Sequence, residues 1–206
     1  MRFVVRPMQT GDVPGAIALQ AAAFPPPFSE DLHWDPAHLS HHVQVFPEGQ
    51  WVAEADGLII ASCSNILISE ARWTPHATWM KTVGGPFLDF LDLGGTTLYG
   101  LDIAVHPAFR RRGVARALYN ARFELVRKLQ LIRYGTACRM PGWQAWAAAH
   151  EAANQTIYAC QVVAGEVQDV TLTPLLRMGL SFLEVIPNYM PDEESGDAAA
   201  LLEWRP

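Results

Sequence analysis

Leu98-Tyr99-Gly100-Leu101-Asp102-Ile103-Ala104-Val105-His106-Pro107-Ala108-Phe109-Arg110-Arg111-Arg112-Gly113-Val114-Ala115-Arg116-Ala117-Leu118 reads as a strand, a basic turn and the start of a helix. The apolar, β-branched run up to Val105 suits a strand. The His106-Pro107 pair closes it, because proline holds its predecessor extended and has no N–H for a sheet ladder. From the turn onward Val114, Leu118, Ala121, Leu125 and Leu129 recur at three- and four-residue steps, one stripe of an amphipathic helix. Three arginines lead into Gly113 at the point where the first N–H groups of that helix lack carbonyl partners and its dipole is positive. Such a turn suits an anion.

The chain around this stretch has 206 residues, 50% hydrophobic and 17% charged, which fits one domain with a substantial core. No apolar run approaches the roughly 20 residues of a membrane helix, and Met1-Arg2-Phe3-Val4-Val5-Arg6-Pro7 lacks the apolar segment of a secretion signal. The expectation is a soluble, cytoplasmic protein with no membrane partner. Cys63, Cys138 and Cys160 are odd in number and show no metal-ligand spacing, so they are expected to be reduced and buried. A net charge of −6 argues against nucleic acid and leaves the arginines as a local site for a small partner.

Phe3 to Met8 reads as a first strand, and Thr10-Gly11-Asp12 caps a helix that runs to Phe24. Pro25-Pro26-Pro27 stops that helix in a surface loop, and a second helix is expected over about Pro36 to Val45. Trp51–Ala55 and Leu58–Ile68 flank Asp56-Gly57, the signature of a tight hairpin. Between Ser69 and Thr97 the periodicity fails, and the stretch, about 69–97, reads as an insertion without regular structure, either a wall or lid over the site or surface padding. Further on come a strand over Leu131–Cys138 and helices over Gly142–His150 and Thr156–Val163. A segment Thr173–Met178 follows, then terminal strands around Leu180–Ile186 and Ala198–Trp204. One domain, 1–206, accommodates them all.

The strand, the turn Arg110-Arg111-Arg112-Gly113-Val114-Ala115 and the helix resemble the acyl-CoA-binding signature of the GCN5-related N-acetyltransferases (GNAT). That signature runs Arg or Gln, two residues, Gly, one residue, Gly or Ala. Leu98-Tyr99-Gly100, Leu118-Tyr119-Asn120-Ala121-Arg122, Pro141-Gly142-Trp143, Pro187-Asn188-Tyr189-Met190-Pro191-Asp192 and Leu201-Leu202-Glu203-Trp204 are closer still to the GNAT-like domain fused to nitrilase-type carbon–nitrogen hydrolases. The resemblance implies an α/β fold: a mixed, mostly antiparallel central sheet with a splayed central strand, flanked by helices. It implies acetyl-CoA as acyl donor, with Ile103, Ala104 and Val105 along the pantetheine arm. Arg110, Arg111, Arg112, Gly113, Val114, Ala115 and Arg116 would surround the pyrophosphate, where converging amides and a side-chain-free glycine allow close approach. No metal is implied.

Acyl transfer to an amine needs a base for its proton, a donor for the thioester oxyanion and a proton for the leaving thiolate. Asp102 is the candidate base, with a hydrogen-bonded structural carboxylate as the alternative. Tyr99 offers a hydroxyl or a packed ring, and the resemblance implies a backbone N–H of this strand, such as that of Val105, as oxyanion donor. Many family members place a tyrosine four residues before a Gly-Phe pair; Leu175 stands there, ahead of Gly179-Leu180, so Tyr158 becomes the candidate acid, with solvent and a packing role as alternatives. His38, His41 and His42 have helical spacing compatible with a metal or with a solvated face, and the Pro191–Asp197 run with an acidic turn or an amine lure. Trp143 and Trp146 would line an acceptor pocket or pack in the core. The function expected is acetyl-CoA-dependent N-acetyl transfer to a primary amine on a small molecule or peptide. The alternative is a CoA-binding regulatory or interaction module without turnover. A homodimer and a separate hydrolase partner stay open.

Overall fold

A computed structural model describes residues 2–26 and 28–206, so Pro27 of the proline run lies outside the described residues. Seven strands form one sheet: β1 (Val4–Pro7), β2 (Trp51–Ala55), β3 (Leu58–Ile68), β4 (Thr97–Val105), β5 (Arg133–Cys138), β6 (Ser181–Ile186) and β7 (Ala199–Trp204). Their order is β1-β2-β3-β4-β5-β7-β6. Every pairing is antiparallel except β4 with β5, so the sheet is mixed and mostly antiparallel.

Helices cover both faces. On one, α5 (Val114–Lys128) meets β2 and β3 through Val114 and Leu118, while Tyr119, Phe123 and Val126 join a larger cluster. That cluster includes Tyr158 and Ala159 of α7 (Gln155–Ala164) and Leu172 and Leu175 of α8 (Leu172–Arg177). The short α6 (Trp143–Ala147) packs its two tryptophans against it. On the other face lie α1 (Val13–Ala23) and α2 (Pro36–Val45), sharing Val13, Ala16 and Leu39 with Met8 and Val52. The stripe on α5 ends earlier than its periodicity suggests, since Leu129 caps the helix and is exposed.

The connection from β3 to β4 corrects the expectation of an unstructured insertion. It carries α3 (Glu70–Trp73) and α4 (Trp79–Val83), helices too short to show a period of 3.6 residues. Both are anchored: Trp73, Val83 and Leu88 pack with Tyr99 and Tyr189, and the Arg133 guanidinium reaches Glu70 at 2.6 Å. The cysteine expectation is corrected as well. All three are free, but only Cys63 and Cys138 are buried; Cys160 lies on the outer face of α7.

Candidate active site on the splayed edge of β4

β4 and β5 pair only from Thr97 to Gly100, opposite Arg133 to Thr136. Beyond that point β5 continues toward β7 and β4 continues against β3, so Leu101 to Val105 have no strand on their other side. A bulge marks the parting. Ser64 pairs with Asp102 and Asn65 with Gly100, leaving Leu101 as the extra residue. The bulge also resets the alternation of side chains. Tyr99 and Leu101 lie in the cluster of α3 and α4, Ala104 packs with Leu19 and Ala23 of α1, and Asp102 turns to this same side beside Trp34.

The ladder settles which backbone groups face the open edge. The His106 N–H donates to Ile60 of β3, so by alternation Ala104 also faces β3, while Ile103 and Val105 present their amides to the parting. Ala104 is thus held by packing and the ladder, away from the open edge. Past Val105 a 3-10 turn, Pro107–Phe109, leads into the basic segment. Arg111 (φ 58°) and Gly113 (φ 80°) are both left-handed, and Gly113 directly precedes α5. A Cβ at Gly113 would meet nothing within 4 Å, so glycine is required there by backbone conformation rather than by crowding. Arg111, Arg112 and Arg116 are exposed around the first N–H groups of α5. Arg110 acts otherwise: its guanidinium donates to the Val105 carbonyl (3.2 Å) and to Ala23 at the end of α1 (2.8 Å), tying the turn to the sheet.

Asp102 is partly buried, and its Oδ1 accepts the Ser64 N–H at 2.9 Å. Burial dominates its titration, pushing the carboxyl up to about 6 against the opposing pull of the Arg122 cation and the bonds from Ser64 and Trp34. The group is ionised at neutral pH yet basic enough to accept a proton. The segment joining α1 to α2 touches both parted strands: Trp34 lies at Asp102, and the Phe28 ring lies 4.7 Å under the Arg139 guanidinium just past β5. Trp79 of α4 meets Trp34 at 6.2 Å between ring centres. The β3–β4 connection thus reaches the segment that lies beside Asp102.

Tyr99 is buried and shares a 2.7 Å bond with the Tyr189 hydroxyl. Tyr158 is fully buried and donates to Asp169 Oδ2 at 2.8 Å; that carboxylate also accepts the amides of Gly142, Thr171 and Leu172. Burial and the neighbouring carboxylate push the Tyr158 hydroxyl upward, away from proton release. Trp143 and Trp146 pack against this same tyrosine. Among the histidines, His42 is buried with Nε2 on the Pro86 carbonyl, and burial lowers it to about 4. Among the described residues no group of three His, Cys, Asp or Glu side chains is placed to hold a metal. Trp34 and the Phe28–Arg139 contact were not singled out from sequence, and Arg122 was quoted there only within the family resemblance, with no role at the site. Of these only Arg122 left a signal, a charge four residues after Leu118 on the apolar stripe.

Residues 14–151 match the model of the Acetyltransferase (GNAT) family. The chain belongs to that family. It is 32% identical over 98% of its length to YkwB of Bacillus subtilis, an uncharacterized N-acetyltransferase of which it covers 88%. It is also 32% identical to YhcX of the same organism, a probable hydrolase, but spans only 38% of that protein. The loading GNATL domain of CurA from Lyngbya majuscula superposes with a TM-score of 0.79 over 100% of this chain and 98% of that one, at 17% identity. The GphF GNAT-like decarboxylase, in complex with isobutyryl-CoA, gives 0.78 over 98% of both chains at 21% identity. These structures share the fold, and membership of the family makes this chain an enzyme of the N-acetyltransferase class.

Proposed function

We propose that this protein transfers the acetyl group of acetyl-CoA to a primary amine. The observation that carries the reading is the open edge of β4, with the Ile103 and Val105 amides free of a partner strand, running into a left-handed basic turn at the start of α5. Its backbone groups suit the pantetheine amides as an added strand would, and the amides from Arg111 to Arg116 suit the pyrophosphate. CoA itself would supply the activated thioester. The cationic side chains of Arg111, Arg112 and Arg116 add long-range attraction for the phosphates, while Arg110 orients the turn.

Asp102 is the base. It lies on the face roofed by Trp34 and Trp79, at the end of the open edge, and its raised basicity matches removal of a proton from an amine as the nitrogen attacks. The Val105 N–H is the oxyanion donor. Tyr158 takes no part in proton transfer in this scheme, because its proton is already held by Asp169. A CoA thiolate leaves readily enough for solvent to protonate it. The acceptor is a free small-molecule or peptide amine, and the enzyme works in the cytoplasm; no described helix is long and apolar enough to cross a membrane.

The test is release of free thiol from acetyl-CoA in the presence of polyamines, arylalkylamines, amino acids, aminoglycosides and peptide N-termini. Turnover with at least one class is expected. Acetyl-CoA binding with no turnover across the panel would replace this reading by that of a CoA-binding module.

A further inference from the structure

At the bulge, side chains join the exchange between strands β3 and β4. Ser64 and Asp102 are paired across the ladder, and the Ser64 N–H donates to the Asp102 carboxylate at 2.9 Å. The Asp102 carbonyl and the Ser64 carbonyl both accept from one group, Nη2 of Arg122, at 2.5 and 3.4 Å. Arg122 comes from the middle of α5, the helix whose first turn faces the proposed pyrophosphate site, and is 1% exposed. Among the described residues no carboxylate pairs with it within salt-bridge distance. Its charge is held by these carbonyls and by the faces of Tyr119 and Tyr134, 4.8 and 5.3 Å from their ring centres.

Beside it the Tyr134 hydroxyl sits where a Cβ on Gly100 would fall, 2.0 Å away, at the last paired residue before the strands separate. A buried cation without a carboxylate partner is costly, and a hydrophobic side chain of similar size would fill the same space. The charge therefore has a use other than packing.

We propose that Arg122 is a positioning residue of the reaction: from beneath the sheet its guanidinium clamps the Ser64–Asp102 bulge and thereby fixes both the open edge of β4 and the direction of the Asp102 carboxylate. This rests on Asp102 being the base. The groups facing that carboxylate are Ser64 of β3, Trp34 from the α1–α2 segment and the Arg122 cation of α5, with the neutral Cys63 thiol nearby. Arg122 is the only cation among those groups, so its removal acts on the titration of Asp102 in a known direction, upward.

The experiment compares the full-length protein with Arg122→Gln, Arg122→Met and Arg122→Lys, using acetyl-CoA and the best amine of the panel above. Gln keeps donors for the two carbonyls but not the charge, Met keeps only the bulk, and Lys keeps the charge. The expected result for Gln is an acid limb of kcat moved up by about one unit from its wild-type position near 6 and, at pH 6.5, a loss of roughly threefold. Met is expected to lose more, and Lys to restore much of the wild-type profile. KM for acetyl-CoA should rise less than kcat falls. If Met does not fold, Gln still decides. An acid limb and kcat unchanged in Gln would overturn the proposal. Asp102→Asn separates the two ideas: wild-type turnover in that variant removes the base assignment, whereas a slow Asp102→Asn beside a normal Arg122→Gln removes the clamp alone.

Discussion

Asp102 owes its chemistry to position. An aspartate in a paired strand would be solvated or spent on an ion pair; here the extra residue at Leu101 turns it toward Trp34, and burial lifts it to about 6. A base must be ionised to act, so activity is expected to rise with pH through about 6 and level off above it, when followed with an amine that itself titrates well away from that value. Asp102→Asn should remove that limb and lower kcat at least a hundredfold while leaving the acetyl-CoA-induced melting shift in place. Gly113 makes a separate residue-scale test. Gly113→Ala adds backbone strain of about 1–2 kcal/mol at φ 80° but no charge, whereas Gly113→Glu adds the same strain and an anion at the phosphates. The melting shift with acetyl-CoA should survive in part in Ala and vanish in Glu.

Between elements, the α6–α7–α8 corner shows how a residue chosen for catalysis from sequence can belong to architecture. Asp169 gathers the Tyr158 hydroxyl with the amides of Gly142, Thr171 and Leu172, joining the helices on the α5 face of the sheet. Tyr158→Phe is expected to cost about 1 kcal/mol of stability in urea denaturation and to leave kcat unchanged; a large fall in kcat with normal stability would make it the acid after all. Asp169→Ala, which orphans several buried donors at once, should cost about 3 kcal/mol or more. The β3–β4 connection behaves in the same architectural way. Its two short helices were illegible as helices, because one turn shows no period. Only packing against Tyr99, with the Arg133–Glu70 pair, gives them form.

For the molecule as a whole, the proposed binding of acetyl-CoA along the open edge of β4 would couple ligand affinity to folding stability. Acetyl-CoA at a hundredfold excess over its dissociation constant should stabilise the protein by about 2.7 kcal/mol, or roughly 5–10 °C in melting temperature for a chain of this size. A flat melting curve against acetyl-CoA would remove the proposed donor. Local pattern determined most of the rest. Val114 and Leu118 at helical spacing, Asp56-Gly57 between two apolar runs and the Arg110-to-Ala115 spacing are short-range properties, and short-range properties are written along the chain. They made the turn and the family resemblance legible, and the resemblance in turn implied the mixed sheet. Long-range partners were not. That Trp34 roofs Asp102, that Phe28 meets Arg139, that Arg110 spends its guanidinium on Val105 and Ala23, and that Arg122 lies buried under the bulge all depend on residues brought together from distant parts of the chain. The strand and its turn are thus properties of the sequence itself. The parting of β4 from β5, and the burial that makes a carboxylate there basic, arise only when the surrounding layers close over them and exclude water.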